Sequence, residues 1–170
     1  MELKFPAIEL AKICLAELRI EANATRRCLE LVPESTYDFK PHPKSMTMGY
    51  LALLVAEIPL WISAIIEIGE INFATYNKTE PKSTEQMLKH FDHCFQKAVA
   101  ALGSATEESL AGQFSLKSGE TLLYAEDKIA AISSTINHWV HHRGQLTVYM
   151  RLNDIAVPSI YGPSADEKSW

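Results

Sequence analysis

The chain has 170 residues, of which 47% are hydrophobic and 22% charged, with 7 glycines and 8 prolines. This length predicts one domain, residues 1–170, with a sizeable core, and the composition excludes a collagen-like chain and argues against wholesale disorder. The formal net charge of −5 provides no basic field for a phosphate backbone, so nucleic acid is not an expected ligand.

The first half of the chain contains two segments with apolar residues at helical spacing. The first predicted helix covers about residues 7–31 and ends before Pro33, because the residue before a proline avoids the helical conformation. The second covers about residues 47–68 and contains Pro59, which should bend it because the carbonyl of Val55 loses its hydrogen-bond partner.

The second half contains two further predicted helices. Ser83, followed three residues later by Gln86, is typical of a helix start and opens a helix that runs to residue 103. Residues 104–121 are predicted to form a long irregular connection that can line a pocket. The last helix covers about residues 122–152, and the pattern as a whole predicts an all-α fold.

The cysteines and the apolar segments bear on location. Cys14, Cys28 and Cys94 are an odd number without CxxC spacing, which favours buried or half-buried free thiols in a reducing cytoplasm. Residues 1–10 lack the apolar run of a signal peptide, and the apolar stretch 51–66 is short for a membrane span. We therefore expect a cytoplasmic protein that does not interact with a membrane.

The residues with the most distinctive chemistry lie in the last helix. His138 and His142 are four residues apart, on one helical face, so both imidazoles can reach one metal ion. A third ligand must then come from another helix, which leaves a position open for water or substrate. The alternative is a pair of polar residues that are hydrogen-bonded within the fold. His141 points away and is expected to be solvated or to donate to a ligand from outside the metal shell.

Residues 136–167 closely resemble the C-terminal signature of the DinB-like (DinB/YfiT) family, whose members are regarded as metalloenzymes, and residues 43–51 look like that family's entry to its second helix. The resemblance covers nearly the whole chain. It implies a four-helix bundle with an up-down-down-up course and a divalent metal, nickel or zinc. One histidine of the second helix and the HxxxH pair, here His138 and His142, would hold that metal. It also implies pairing through helix faces, so we expect a homodimer.

The sequence departs from the family pattern at Leu54, which occupies the position of the expected ligand histidine. Leucine cannot bind a metal, and Leu54 continues the apolar stripe of the second helix, so we expect it in the core. The nearest substitute is Glu57, one turn further and about 60° round the helix. Alternatively, Glu57 accepts a hydrogen bond from His138 or His142 without any metal.

Three other histidines could complete the site only if the fold brings them there: His42, expected in an exposed connector, and His90 and His93, expected on the polar side of the third helix. Gly144 suggests close packing by a neighbour, since glycine within a helix costs about 1 kcal/mol relative to alanine. Arg143 is interpreted either as a ligand for a substrate carboxylate or, preferably, as an internal ion pair that anchors the tail.

Two functional hypotheses follow. In the first, the resemblance implies a metal-dependent enzyme acting on a small molecule, a hydrolase or thiol S-transferase. His138 and His142, with or without Glu57, would hold the ion, and His141 or Glu57 would carry protons. In the second, the chain is a non-catalytic relative whose cavity binds a small ligand or whose helices dimerise. Stoichiometric metal would favour the first.

Overall fold

The computed structural model describes residues 5–76 and 79–168. The helices are α1 (Ala7–Leu31), α2 (Met48–Glu67), α3 (Thr84–Gly103), the short α4 (Glu107–Leu110) and α5 (Lys128–Leu152). A 3-10 turn, Glu34–Thr36, follows α1. The strands are β1 (Glu70–Asn72), β2 (Gln113–Ser118) and β3 (Thr121–Asp127).

The small sheet corrects the prediction of an all-α fold: the chain is mostly helical but not purely so. Strand β2 pairs in parallel with β1 and antiparallel with β3. The predicted last helix included residues 122–127, which belong to β3, so α5 begins only at Lys128. Gly119 has a φ of +61° in the two-residue turn between β2 and β3, a conformation that glycine adopts without strain. Pairing with β2 overrides the helix propensity of the leucines and alanine in β3.

The predicted boundaries of α1 and α3 agree with the structure to within one residue. The Ser83 side chain accepts a hydrogen bond from the backbone N–H of Gln86 at 3.2 Å, which confirms the predicted N-cap of α3. Helix α2 packs against α3 and α5, and α1 packs against the same two helices. Their shared core includes Leu18, Leu51, Ile62, Phe91 and Trp139, which are almost fully buried.

Trp139 compensates for the proline in α2. Pro59 cannot donate to the carbonyl of Val55, and the indole Nε1–H of Trp139 donates to that carbonyl at 2.8 Å instead. The orphan acceptor predicted from the sequence therefore has a buried partner on α5. This bond also fixes the position of α2 relative to the helix that carries the histidine pair.

Helices α2 and α5 run antiparallel. Three hydrogen bonds join them along their length: Tyr149 to the carbonyl of Met46 just before α2, Trp139 to Val55, and Lys128 to Ile66. This register puts Leu54 at the level of His138 and His142.

Helix α2 also has the length and composition of a membrane span, with a mean hydropathy of 1.9 over its most apolar window. The prediction that residues 51–66 are too short for a span is wrong on length alone, since the helix has 20 residues. In this fold 56% of that window is buried inside the protein, and both α3 and α5 pack against it. These contacts are those of a core helix.

Candidate functional site

The histidine pair on α5 is preorganised by its own helix. The Nε2 atoms of His138 and His142 lie 2.8 Å apart, and the Nδ1 atom of His142 lies 2.7 Å from Oε1 of Gln145. If Nδ1 of His142 donates to the Gln145 amide oxygen, the Nε2 lone pair of His142 is left to accept from His138. The two Nε2 atoms are therefore hydrogen-bonded to each other.

Burial keeps the pair uncharged. Desolvation, and then the neighbouring His142, lower the pKa of His138 to about 4. Burial likewise lowers the pKa of His142, against the opposing effect of the hydrogen bond that His142 donates to Gln145. Both rings are neutral at pH 7, which is the protonation state that binds a metal ion.

No third ligand reaches the pair in the described part of the chain. Leu54 is half-buried and packs against the core from the position where the resemblance implies a histidine. Across residues 5–76 and 79–168, no group of three or more His, Cys, Asp or Glu side chains is placed to hold a metal ion. The residues present therefore do not fit the three-ligand site implied by the resemblance.

Glu57 belongs to a different cluster. Its Oε2 atom lies 3.0 Å from Nε2 of His90 on α3, and the two side chains are only 12% and 14% exposed. Neither predicted role of Glu57, as a metal ligand or as a partner of His138 or His142, corresponds to this contact. The expectation that His90 lies on the polar side of α3 is wrong, because the ring packs against α2.

Cys94 lies beside His90, with its sulfur 3.6 Å from Nε2 of the ring. Burial, and then the charge of Glu57, raise the pKa of this thiol to about 12. A thiol with this pKa remains protonated and is a poor nucleophile. Cys14, Cys28 and Cys94 are all buried and free, as predicted.

A cavity of about 270 Å³ opens next to Glu57, between α2 and the segment that follows β1. Its lining residues share a predominantly apolar, aromatic character: Tyr50, Leu53, Leu54, Glu57, Trp61, Phe73, Tyr76, Thr79 and Glu80. The ring of Trp61 also packs against that of His138, with 5.5 Å between centroids. Trp61 thus contacts the histidine pair and lines the cavity.

Two polar atoms of the cavity residues have no partner. Nε1 of Trp61 and the hydroxyl of Tyr76 are buried and form no hydrogen bond among the described residues. Burial, and then the Glu57 carboxylate, raise the pKa of the Tyr76 hydroxyl, so it remains protonated. An unpaired buried polar group costs about 1–3 kcal/mol, and in native proteins such groups commonly have an ordered water or ligand as a partner.

Among the other candidate histidines, His141 lies beside the histidine pair, whereas His42 and His93 form no contact with either cluster in the described structure. His141 is exposed, and its ring centroid is 5.2 Å from that of His142. His42 lies in an exposed connector, as predicted, and His93 is exposed on α3. His90 is therefore the one described histidine outside α5 that faces the interior.

Arg143 anchors the C-terminal tail. Its guanidinium forms a buried ion pair with Glu21 at 2.6 Å and donates to the hydroxyl of Tyr161 in the tail at 2.8 Å. The interpretation as an internal ion pair is confirmed.

The prediction for Gly144 is wrong, because a Cβ atom added there would meet nothing within 4 Å.

The sequence did not reveal the cavity wall formed by the segment that follows β1. Phe73 and Tyr76 come from the predicted connector between the second and third helices, where no periodicity marks them. Glu57 was the available signal, since a carboxylate within an apolar helix needs a polar partner. Gly49 was also missed: a Cβ there would lie 2.9 Å from Cβ of Tyr37, so only glycine allows this approach.

The architecture defines the class of the protein: a DinB-like fold, mostly helical with a small sheet. A crystal structure of a DinB-like protein from Bacillus subtilis, YjoA, is similar with a TM-score of 0.66 and 22% identity over 85% of this chain and 95% of that chain. A DinB-like protein from Bacillus cereus matches with a TM-score of 0.66 and 21% identity over 87% of this chain and 95% of that chain. At these identities the likeness establishes the fold alone.

The family follows from the sequence. The DinB family profile matches residues 11–169, so the chain belongs to the DinB family. Uncharacterized protein YrdA of Bacillus subtilis (strain 168) is 56% identical over 32 residues. That alignment spans 19% of this chain and 19% of the relative.

Proposed function

We propose that this DinB family member is a non-catalytic protein that binds a small molecule in the cavity lined by α2 and the segment after β1. The observation that carries this proposal is the cavity itself: aromatic walls, a carboxylate at Glu57 and two unpaired polar groups at Trp61 and Tyr76. Ligand sites are mostly apolar concavities with a few placed polar groups. The volume of about 270 Å³ suits a small metabolite.

The test is to screen a fragment collection for binding and to monitor the NMR signal of the isotope-labelled Trp61 indole as each fragment is added. Leu54→Trp fills the cavity from its half-buried wall, and Leu123→Trp makes the same change at an exposed position on β3. We expect fragments that bind the wild type and Leu123→Trp but not Leu54→Trp. Fragments that bind Leu54→Trp equally well, or no binding at millimolar concentration, would overturn the proposal.

The second candidate is the metal-dependent enzyme, of the hydrolase or thiol S-transferase type. The specific observation in its favour is that two neutral imidazoles on one helical face bring their Nε2 atoms within 2.8 Å of each other. His138 and His142 would hold nickel or zinc, which acts as a Lewis acid when bound, and His141 and Glu57 are the proposed proton carriers. Two protein ligands alone predict weak binding.

Elemental analysis of protein purified without a metal-affinity tag tests this candidate, followed by titration with zinc and nickel. His142→Ala removes one ligand, and His93→Ala removes an exposed histidine of α3 as the matched control. One equivalent that is lost only in His142→Ala supports the metal site. Binding no tighter than that of His142→Ala rejects it.

We also propose that the four long helices form the up-down-down-up bundle. Contacts that support these directions join Val32 to Thr84 and Arg26 to Asp92 between antiparallel α1 and α3. Helices α2 and α3 are parallel, since Glu57 meets His90 while Ile66 and Ala101 line one cleft further along both helices.

A homodimer through helix faces is a further proposal. Ile13 and Ile20, seven residues apart on one face of α1, are 62% and 74% exposed, which favours a covered helix face. Light scattering on the wild type and on Ile20→Glu tests it: a dimer that the variant disrupts supports the proposal, and a monomeric wild type rejects it.

Cytoplasmic location stays a prediction.

A further inference from the structure

We infer that the ligand of this cavity is an organic ammonium ion: a protonated amine whose nitrogen lies at Glu57 and whose apolar body lies among the aromatic rings. The inference rests on the proposed function, because it names the chemical class bound at the same site. Three features of the cavity carry it: the sign of its charges, the free oxygen of Glu57 and the number of aromatic rings.

The charges favour a cation. Among the described residues that line the cavity, Glu57 and Glu80 are the charged ones, and both are carboxylates. An anionic ligand would place a second negative charge beside the nearly buried Glu57, and no described residue of the lining carries a positive charge to offset it. A phosphate or carboxylate ligand is therefore disfavoured.

The Glu57 carboxylate has one oxygen available. His90 binds Oε2, and the Tyr76 hydroxyl lies beside the carboxylate, which raises the pKa of that hydroxyl, but no donor among the described residues forms a well-aligned hydrogen bond with Oε1. A neutral apolar ligand would remove water from Oε1 and offer no donor in exchange, which is costly for a charged group. An ammonium group supplies both the donor and the opposite charge.

The walls suit the remainder of such a ligand. Four aromatic residues, Tyr50, Trp61, Phe73 and Tyr76, line the cavity together with two leucines. Aromatic faces attract organic cations through the ring quadrupole, most strongly where water is excluded. An aromatic enclosure closed by a carboxylate is a recognition surface for amines.

Three probes of similar shape and different charge test the inference by isothermal titration calorimetry: 2-phenylethylammonium, 2-phenylethanol and 3-phenylpropanoate. We expect the ammonium ion to bind at least about tenfold more tightly than the alcohol, since both can donate a hydrogen bond to the Glu57 carboxylate but only the ammonium adds an opposite charge. The propanoate should not bind detectably.

The variants distinguish charge recognition from a structural role. Glu57→Gln keeps the shape of the side chain and should weaken ammonium binding about tenfold, and alcohol binding by clearly less, because only the ammonium loses an opposite charge. Glu67→Gln makes the same change at an exposed position at the end of α2 and should alter neither.

Each outcome bears on one of the two proposals. Equal binding of ammonium and alcohol to the wild type, or equal ammonium binding to Glu57→Gln, overturns the inference and leaves the proposed function intact. Failure of all three probes also overturns the inference, whereas failure of the whole fragment collection overturns the proposed function. If Glu57→Gln does not fold, the comparison of the three probes on the wild type still decides.

Discussion

The site contains two polar pairs that are built in different ways. His138 and His142 sit four residues apart on one helix, so the local geometry of α5 alone brings their rings together. Glu57 and His90 belong to different helices, and only the packing of α2 on α3 brings them within 3.0 Å. The first pair is an uncharged donor set to which no described residue adds a third ligand, whereas the second includes a carboxylate that borders a cavity.

Leu54 stands where the family resemblance implies a ligand histidine, and it bears on both pairs. Leu54 lies on the α2 wall between the two pairs, where it lines the cavity next to Glu57. A leucine there extends the apolar wall and removes the donor that would complete the histidine pair. Leu54 is therefore compatible with the proposed ligand binding in the cavity and leaves the histidine pair without a donor from α2 at this position.

The largest expected effect comes from restoring that donor. Leu54→His should tighten zinc binding by about 100-fold, which corresponds to about 2.7 kcal/mol, because it supplies a third imidazole at the level of His138 and His142. Competition with a chromophoric chelator measures the affinity. Leu53→His is the control, since residue 53 also lines the cavity but points about 100° away on the helix. Equal gains in both variants would show that the register between α2 and α5 does not define the site.

A smaller effect is expected from pH in the metal-free protein. The folded-state pKa of His138 is about 4, below its ordinary value of 6.5, so between these pH values the unfolded chain takes up a proton that the native state does not. The stabilisation is therefore complete above about pH 6.5 and is lost as the pH falls towards 4. Between pH 6.5 and 4 the free energy of unfolding should therefore fall by about 2 kcal/mol less in His138→Asn than in the wild type.

Urea denaturation between pH 7.5 and 4 in the presence of a chelator measures how the free energy of unfolding depends on pH. His93→Asn, at an exposed position of α3, should retain the wild-type acid sensitivity. If His138→Asn is as acid-sensitive as the wild type, the loss of stability at low pH does not come from protonation of His138 in the unfolded chain.

The sequence predicted what depends on local spacing. The boundaries of α1 and α3, the pair His138 and His142, and the orphan carbonyl of Val55 all follow from periodicity or from a single residue type. Strand β3 could not be predicted, because its residues favour helix locally and become a strand only through pairing with β2. The partner of Glu57 could not be predicted either, since it depends on how α2 and α3 are rotated against each other.

The next effect is the coupling energy between Glu57 on α2 and His90 on α3. A double-mutant cycle with Glu57→Ala and His90→Ala should give a coupling energy of about 1–2 kcal/mol, as for a nearly buried hydrogen bond to a charged group. The matched cycle at His138 and His142 should give about 0.5 kcal/mol, because that pair is neutral and local. Urea unfolding at pH 7 measures both. A larger coupling at the histidine pair would reverse the comparison.

The smallest effect is expected at His141, the remaining candidate proton carrier. Its side chain is exposed, and it acts on the pair mainly through charge, as a minor cause of the lowered pKa of His142. His141→Ala should change zinc affinity by less than about twofold, since an exposed ring outside the ligand set contributes little. NMR titration of the imidazole signals should show the pKa of His142 rising slightly. A tenfold loss of zinc affinity would instead place His141 among the metal ligands, and the site would then be built from α5 alone, without any contribution from α2.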